Sequence, residues 1–249
     1  MSRFEYLTER FLAATRAGGG GVAGACAACV RVLPVQRAAI VIDEQHAGVQ
    51  PWGTSDEVAA GVEAVQATAG EGPAVEAVAT GVPVPVADLA AGCERWPGFT
   101  EALSRTQARG AMIAVPLQLG DIRFGALDLY RDVPGRLDPQ TVSAGLHVAD
   151  LITAQLISAR RSGADFMADD THWPEEPDTR RLEQPDTRWL EQPLASRAIH
   201  QAAGMVVAQS GIGIPDAYAR LRAYAFGREL SLAEVAESVV ARRIRFDGE

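Results

Sequence analysis

Thiols, guanidiniums and one indole are the side chains here best equipped for chemistry. Cys26-Ala-Ala-Cys29 has the spacing of a redox dithiol. No strand pattern precedes it and no basic neighbour is placed to lower a thiol pKa, so it reads as two small apolar side chains on one helix face. Cys93, in Gly92-Cys-Glu-Arg-Trp96, could attack an oxidised metabolite, but that chemistry needs a resolving thiol nearby. Asp88, Arg95 and Trp96 combine a carboxylate, a guanidinium and an indole, common groups for holding a small ligand. Histidines 46, 147, 172 and 200 are scattered without metal-ligand spacing, so neither a metal nor a cofactor is expected. The glycines at 18–21 lack the Lys-Ser or Lys-Thr of a phosphate-cradling loop. Toward the C-terminus, Arg197, Gln201, Gly204, Arg220, Arg222, Tyr224 and Arg228 form a different set. Arginine pairs with phosphate or a guanine edge, glutamine reads base edges, and tyrosine stacks on unpaired bases.

Three short helices must carry that second set. Ile199, Ala202, Ala203 and Val206 share one helix face, closed off by Gly211 and Gly213. Pro215 suits a first turn, Ala217, Leu221 and Ala225 form a stripe, and Gly227 suits a stop. Ser231 and Glu234 form a capping box ahead of Val235, Val239 and Val240. Gly204 inside the first helix costs about 1 kcal/mol relative to alanine, which close approach of a helix or ligand backbone would explain.

The first 160 residues read as mixed α and β. Helices are expected over 4–16, 22–33, 56–68, 97–108 and 139–160. Strands are expected over 38–43, 47–53 and 82–86, and a hairpin over 111–119 and 122–130 turns at Gly120-Asp121. Residues 163–193 read as an acidic linker with four prolines. It holds a tandem octapeptide, Glu175-Glu-Pro-Asp-Thr-Arg-Arg-Leu182 and Glu183-Gln-Pro-Asp-Thr-Arg-Trp-Leu190, identical at six of eight positions. Its prolines break any continuous helix between the flanking units, which implies a tether, or docking through Trp173 and Trp189, and thermally uncoupled cores.

Charge divides the same way. The chain has net charge −9, yet residues 194–249 hold seven arginines against six acids. An acidic chain is a poor non-specific binder of polyanions, so any nucleic acid must meet a local patch. Lysine and asparagine are absent, as in a GC-rich coding sequence. No apolar run approaches the roughly 18 residues of a membrane span, and the charged first ten residues do not resemble a signal peptide, so a cytoplasmic location with reduced thiols is expected.

The C-terminal layout resembles the ANTAR domain of bacterial regulators, a three-helix module that binds RNA hairpins and prevents transcription termination. Arg197, Gln201, Gly204 and Arg222 match positions that recur in that family; Ala203 replaces a lysine common in relatives. The N-terminal order of elements resembles a GAF domain. The strings that carry this are Gly70-Glu-Gly-Pro73, Asp88-Leu … Arg95-Trp-Pro … Phe99, and Val115-Pro-Leu … Phe124-Gly-Ala-Leu-Asp-Leu-Tyr130. Relatives often carry cysteine where this chain has Ala74. The resemblance implies an α+β fold: a GAF-like antiparallel sheet with flanking helices over 1–162, the linker over 163–193, and an ANTAR-like bundle over 194–249. It also implies a regulator, not an enzyme, that binds an RNA hairpin in a nascent transcript. The GAF domain would sense a small molecule or support a homodimer. A bundle that binds a protein partner, or a GAF-type reductase of a small metabolite, are the competing readings. For the dimer, Val142, Leu146, Ala149, Ile152 and Leu156 would meet Phe4, Leu7, Phe11 and Leu12.

Overall fold

A computed structural model describes residues 2–91, 94–168 and 187–246. The N-terminal unit begins with two helices, α1 (Arg3–Ala17) and α2 (Gly21–Val32). The chain then forms β1 (Arg37–Asp43) and β2 (Val49–Thr54), which pair antiparallel. Helices α3 (Glu57–Ala69) and α4 (Pro73–Thr80) follow, then the short β3 (Val84–Val86) and α5 (Pro97–Ser104). The expected hairpin is β4 (Ala111–Leu119) and β5 (Ile122–Arg131). Helix α6 (Pro139–Ala168) closes the unit.

The strands form one antiparallel sheet in the order β2-β1-β5-β4-β3. Alternate side chains on a strand point to opposite faces, and both faces here are covered. Ile40, Ile42, Val115, Leu117, Leu127 and Leu129 pack toward α1, α2 and α6. Ala39, Val41, Met112, Ala114 and Tyr130 pack with side chains of α3, α4 and α5. Double coverage explains why the strands read as nearly unbroken apolar runs. At Gly125 a Cβ would lie 1.9 Å from the Val41 carbonyl oxygen, so β5 can approach β1 only with glycine there.

Three helices depart from the sequence expectation. Helix α4 was not anticipated, although Pro73 in its first turn and left-handed Gly81 (φ 72°) at its end are ordinary helix punctuation. Helix α5 stops at Ser104, short of Ala108. Helix α6 runs eight residues past Arg160. Within its segment Pro139–Arg160 an 18-residue window reaches mean hydropathy 1.3, enough by length and composition for a membrane span. No long apolar run signalled this, because its aliphatic residues alternate with Ser, Gly, His and Thr. Ala149, Ile152 and Leu156 of its expected dimer stripe are buried in the unit's own core, as is Phe11 of α1. Leu146 and Phe4 remain exposed.

The C-terminal bundle comprises α7 (Leu194–Ser210), α8 (Ile214–Gly227) and α9 (Leu232–Val240). Its core contains Ile199, Ala202, Val206, Leu221, Val235 and Val239. Both halves of the Ser231–Glu234 capping box form. The bundle is not a free appendage. Ala47 of the N-terminal unit is 1% exposed and belongs to the bundle's apolar cluster. Trp189, in a short 3-10 turn (Thr187–Leu190), is buried among the core side chains packed with α2 and α6. Arg188 donates to the Gly19 carbonyl. The expectation of uncoupled units is therefore corrected: the chain is anchored just before α7, and the two cores share a seam. Trp173, Cys93 and the first octapeptide lie outside the described residues.

Candidate nucleic-acid interface and sensor face

Helix α7 presents an open polar surface. Arg197, Gln201 and Gly204 are exposed along one side of it. Among the described residues a Cβ on Gly204 would meet nothing within 4 Å, so no helix described there accounts for the glycine.

The other candidates are engaged within the chain. Arg220 donates to the Ser210 hydroxyl at 3.0 Å, and that hydroxyl donates to the Phe246 carbonyl, so the guanidinium helps hold the end of α7. The Tyr224 ring meets Phe246 edge-on at 5.4 Å, and Arg228 lies 5.4 Å over it. Arg228 itself is exposed and the Tyr224 side chain is half-buried. Arg222 points into the seam. Its guanidinium donates to the Ala47 carbonyl at 3.0 Å, and burial pulls its pKa below the usual value. Arg222 is therefore an intramolecular pair in this structure, as guanidiniums near helix ends often are.

Glu44 is the seam's acidic centre. It accepts from Trp52 of its own unit at 3.0 Å, from Gln192 at 3.1 Å and from the Ser196 hydroxyl at 2.8 Å, and His200 Nε2 lies 2.8 Å away. At a second point the Leu232 amide donates to Thr68 Oγ1 of α3 at 3.0 Å. At a third, Arg105 pairs with Glu229 at 3.3 Å. Sequence reasoning did not single out Glu44, whose partners across the seam lie about 150 residues away in the chain.

The three residues expected to hold a ligand each have a partner within the chain. Asp88 turns its carboxylate onto the Ala90 amide at 2.9 Å. Arg95 pairs with Glu76 and stacks 5.0 Å from the Trp96 ring centroid. Trp96 is 5% exposed and donates to the same Glu76 at 3.1 Å. Arg95 and Trp96 thus fasten the loop onto α4. In the Gly70-Glu-Gly-Pro73 string, left-handed Gly70 (φ 68°) ends α3 and Gly72 opens α4. Between them, the Glu71 carboxylate accepts from the Gly98 and Phe99 amides at the start of α5.

Beneath this loop sits a buried polar cluster that the sequence reading missed. Gln66 donates to Glu63 at 2.8 Å and to Asp128 at 2.9 Å, and accepts from the Ala74 amide at 2.7 Å. Tyr130 donates to Glu63. Burial pushes Asp128 up to about 7. Burial, reinforced by the Asp128 charge, pushes Glu63 well above the usual carboxylate range. Asp128 therefore titrates near neutrality. Cys26 and Cys29 are buried too, with Cys29 pushed up to about 12, so neither is a ready thiolate. Among the described residues no group of three His, Cys, Asp or Glu side chains is arranged to hold a metal ion.

A family model for the GAF domain matches residues 23–156, more than half of the chain. The chain belongs to the GAF family. A family model for the ANTAR domain matches residues 190–240, which include all of α7 to α9. The first match contains all five strands, so the sheet and its flanking helices are the GAF domain and the bundle is the ANTAR domain. Solved GAF domains are similar at low identity. That of a phosphoenolpyruvate-protein phosphotransferase from Coxiella burnetii is 15% identical, with 66% of this chain and 99% of that chain covered at a TM-score of 0.48. The corresponding Acinetobacter domain is 12% identical, with coverages of 62% and 93% and a TM-score of 0.44. No curated protein matches the chain. GAF plus ANTAR is a regulatory architecture, pairing a sensory domain with an RNA-binding module.

Proposed function

We propose that this protein is a cytoplasmic transcription antitermination regulator whose ANTAR bundle binds a hairpin in nascent RNA. The observation that carries this reading is the open face of α7. It offers a guanidinium at Arg197, an amide at Gln201 and a bare backbone at Gly204 on one side of a helix. That combination suits a phosphate, a base edge and close backbone approach. Tyr224 and Arg228 add a stacking ring and a second cation at the end of α8. Arg220 and Arg222 contribute only if their internal partners release them.

The GAF domain supplies the regulatory input, through a small molecule or through dimerisation. The outer side of α1 and α6, with Phe4, Tyr6 and Leu146 exposed, is the surface we assign to a homodimer. Light scattering should give about twice 26.4 kDa for the wild type, reduced by Leu146→Glu. A monomeric wild type removes the dimer.

RNA binding is tested on the full chain. Anisotropy titration with a labelled stem-loop carrying unpaired purines should show affinity that falls as salt rises. Arg197→Ala and Gln201→Ala should weaken it with circular dichroism unchanged. Binding that is absent, or insensitive to both substitutions, rejects the α7 face, and capture of a protein partner through that face would favour a protein-binding module.

A further inference from the structure

The polar face of α7 extends beyond its exposed part. At about 100° per residue, Ser196, His200, Gly204, Arg197 and Gln201 follow one another around the helix from the edge of its apolar side outward. The last three are open to solvent, whereas Ser196 is buried and His200 half-buried. Glu44 of the GAF domain covers that near edge. The Ser196 hydroxyl lies 2.8 and 2.6 Å from its two carboxylate oxygens. His200 Nε2 lies 2.8 Å from one of them, and Gln192 donates from 3.1 Å. On α8, Arg222 donates to the Ala47 carbonyl at 3.0 Å, and Tyr218, one turn earlier, meets His200 Nδ1 at 2.5 Å.

Polar groups from two ANTAR helices and the residues before them thus converge on one short GAF segment. The acceptors are a carboxylate, 9% exposed, and a backbone carbonyl. An anionic oxygen pair facing hydroxyl, imidazole and amide donors, with a guanidinium close by, is what a phosphodiester would also present. A phosphate chain lying along Arg197 and Gln201 would meet the Glu44 carboxylate at the edge of the same face, where like charges repel.

We propose that Gln192, Ser196, His200 and Arg222 contact the RNA backbone, and that the GAF segment from Glu44 to Ala47 covers them with acceptors of its own. RNA and the docked GAF domain then compete for one face. Whatever loosens the seam raises RNA affinity, and RNA binding loosens the seam in return. The structure described here is the covered state. This inference rests on the RNA-binding reading above.

The test uses the full chain as wild type, Glu44→Ala and Glu44→Gln, and each Glu44 variant combined with Ser196→Ala and His200→Ala. Hydrogen exchange over residues 44–48 and α7 reports whether the seam opens. Circular dichroism reports folding, and Glu44→Gln, which keeps the shape of the side chain, serves if the alanine variant does not fold. The labelled purine-containing stem-loop is the RNA probe. The expected result is faster exchange at the seam and at least tenfold tighter RNA binding for the Glu44 variants, with much of that gain lost when Ser196 and His200 are removed. An unopened seam overturns the role of Glu44. An open seam with wild-type affinity overturns the competition while leaving RNA binding itself intact. A gain that survives loss of Ser196 and His200 overturns their assignment as contacts. No RNA binding by any variant with an open seam rejects the RNA reading, and this inference with it.

Discussion

Asp128 holds a proton that the unfolded chain would already have released. Its carboxyl is pushed from an ordinary value of 3.8 to about 7 by burial. A folded-state pKa above the unfolded one stabilises the fold fully below the unfolded value and loses that contribution as pH rises through the folded value. Stability should therefore fall between about pH 4 and pH 7 on account of this group, and Asp128→Asn should flatten that part of the curve. Urea unfolding across the window checks it, and equal slopes for both proteins would reject it. Gly204 gives a second prediction. Its Cβ position is open, so Gly204→Ala should stabilise α7 by about 1 kcal/mol. If RNA approaches the bare backbone there, the same change should weaken RNA binding. Higher stability with unaltered binding would make the glycine incidental. The sequence showed the residue types at both ends of the molecule but not who meets whom. Arg222 reads from sequence as either an RNA contact or an internal pair, and its partner Ala47 lies 175 residues away. Glu63 and Asp128 looked unrelated because one is on α3 and the other on β5.

At the scale of elements, local rules carried most of the reading. The Gly120-Asp121 hairpin and the Ser231–Glu234 box appear as expected, because neighbouring residues determine both. Ser231→Ala should cost about 1 kcal/mol, since an amide at the start of α9 loses its acceptor. Thermal unfolding followed by circular dichroism measures this, and an unchanged midpoint would mean water replaces the hydroxyl without loss. Helix α4 escaped notice because eight residues establish hardly two turns of periodicity. The far end of α6 did so because Gly163 and the acidic, proline-bearing stretch after it read as a stop. The apolar stripe of α6 was legible, but its partner was not. A stripe reads the same whether it faces its own sheet or a second chain, and Ile152 and Leu156 face the sheet.

For the whole molecule, the decisive feature is the anchored segment ahead of the bundle. Trp189 is 3% exposed within the GAF core. Trp189→Ala should destabilise the GAF domain by about 3 kcal/mol, in keeping with truncation of a large buried aromatic. It should also loosen the seam, because the bundle then loses its nearby tether. Calorimetry of the wild type should show the two domains unfolding together, and two separate transitions would contradict the shared seam. Arg181 and Trp189 occupy the same position in successive octapeptides, so only the second copy carries the indole that enters the core. That difference has an evolutionary consequence. Tandem repeats gain and lose units when DNA polymerase slips, and such slippage here would change the path between α6 and the anchor but not the distance from anchor to bundle. Deleting residues 175–182 should leave melting and RNA affinity as they are, as differential scanning calorimetry and the anisotropy titration would show. The first octapeptide is then free to drift in number and sequence among descendants, while selection holds the second to its tryptophan.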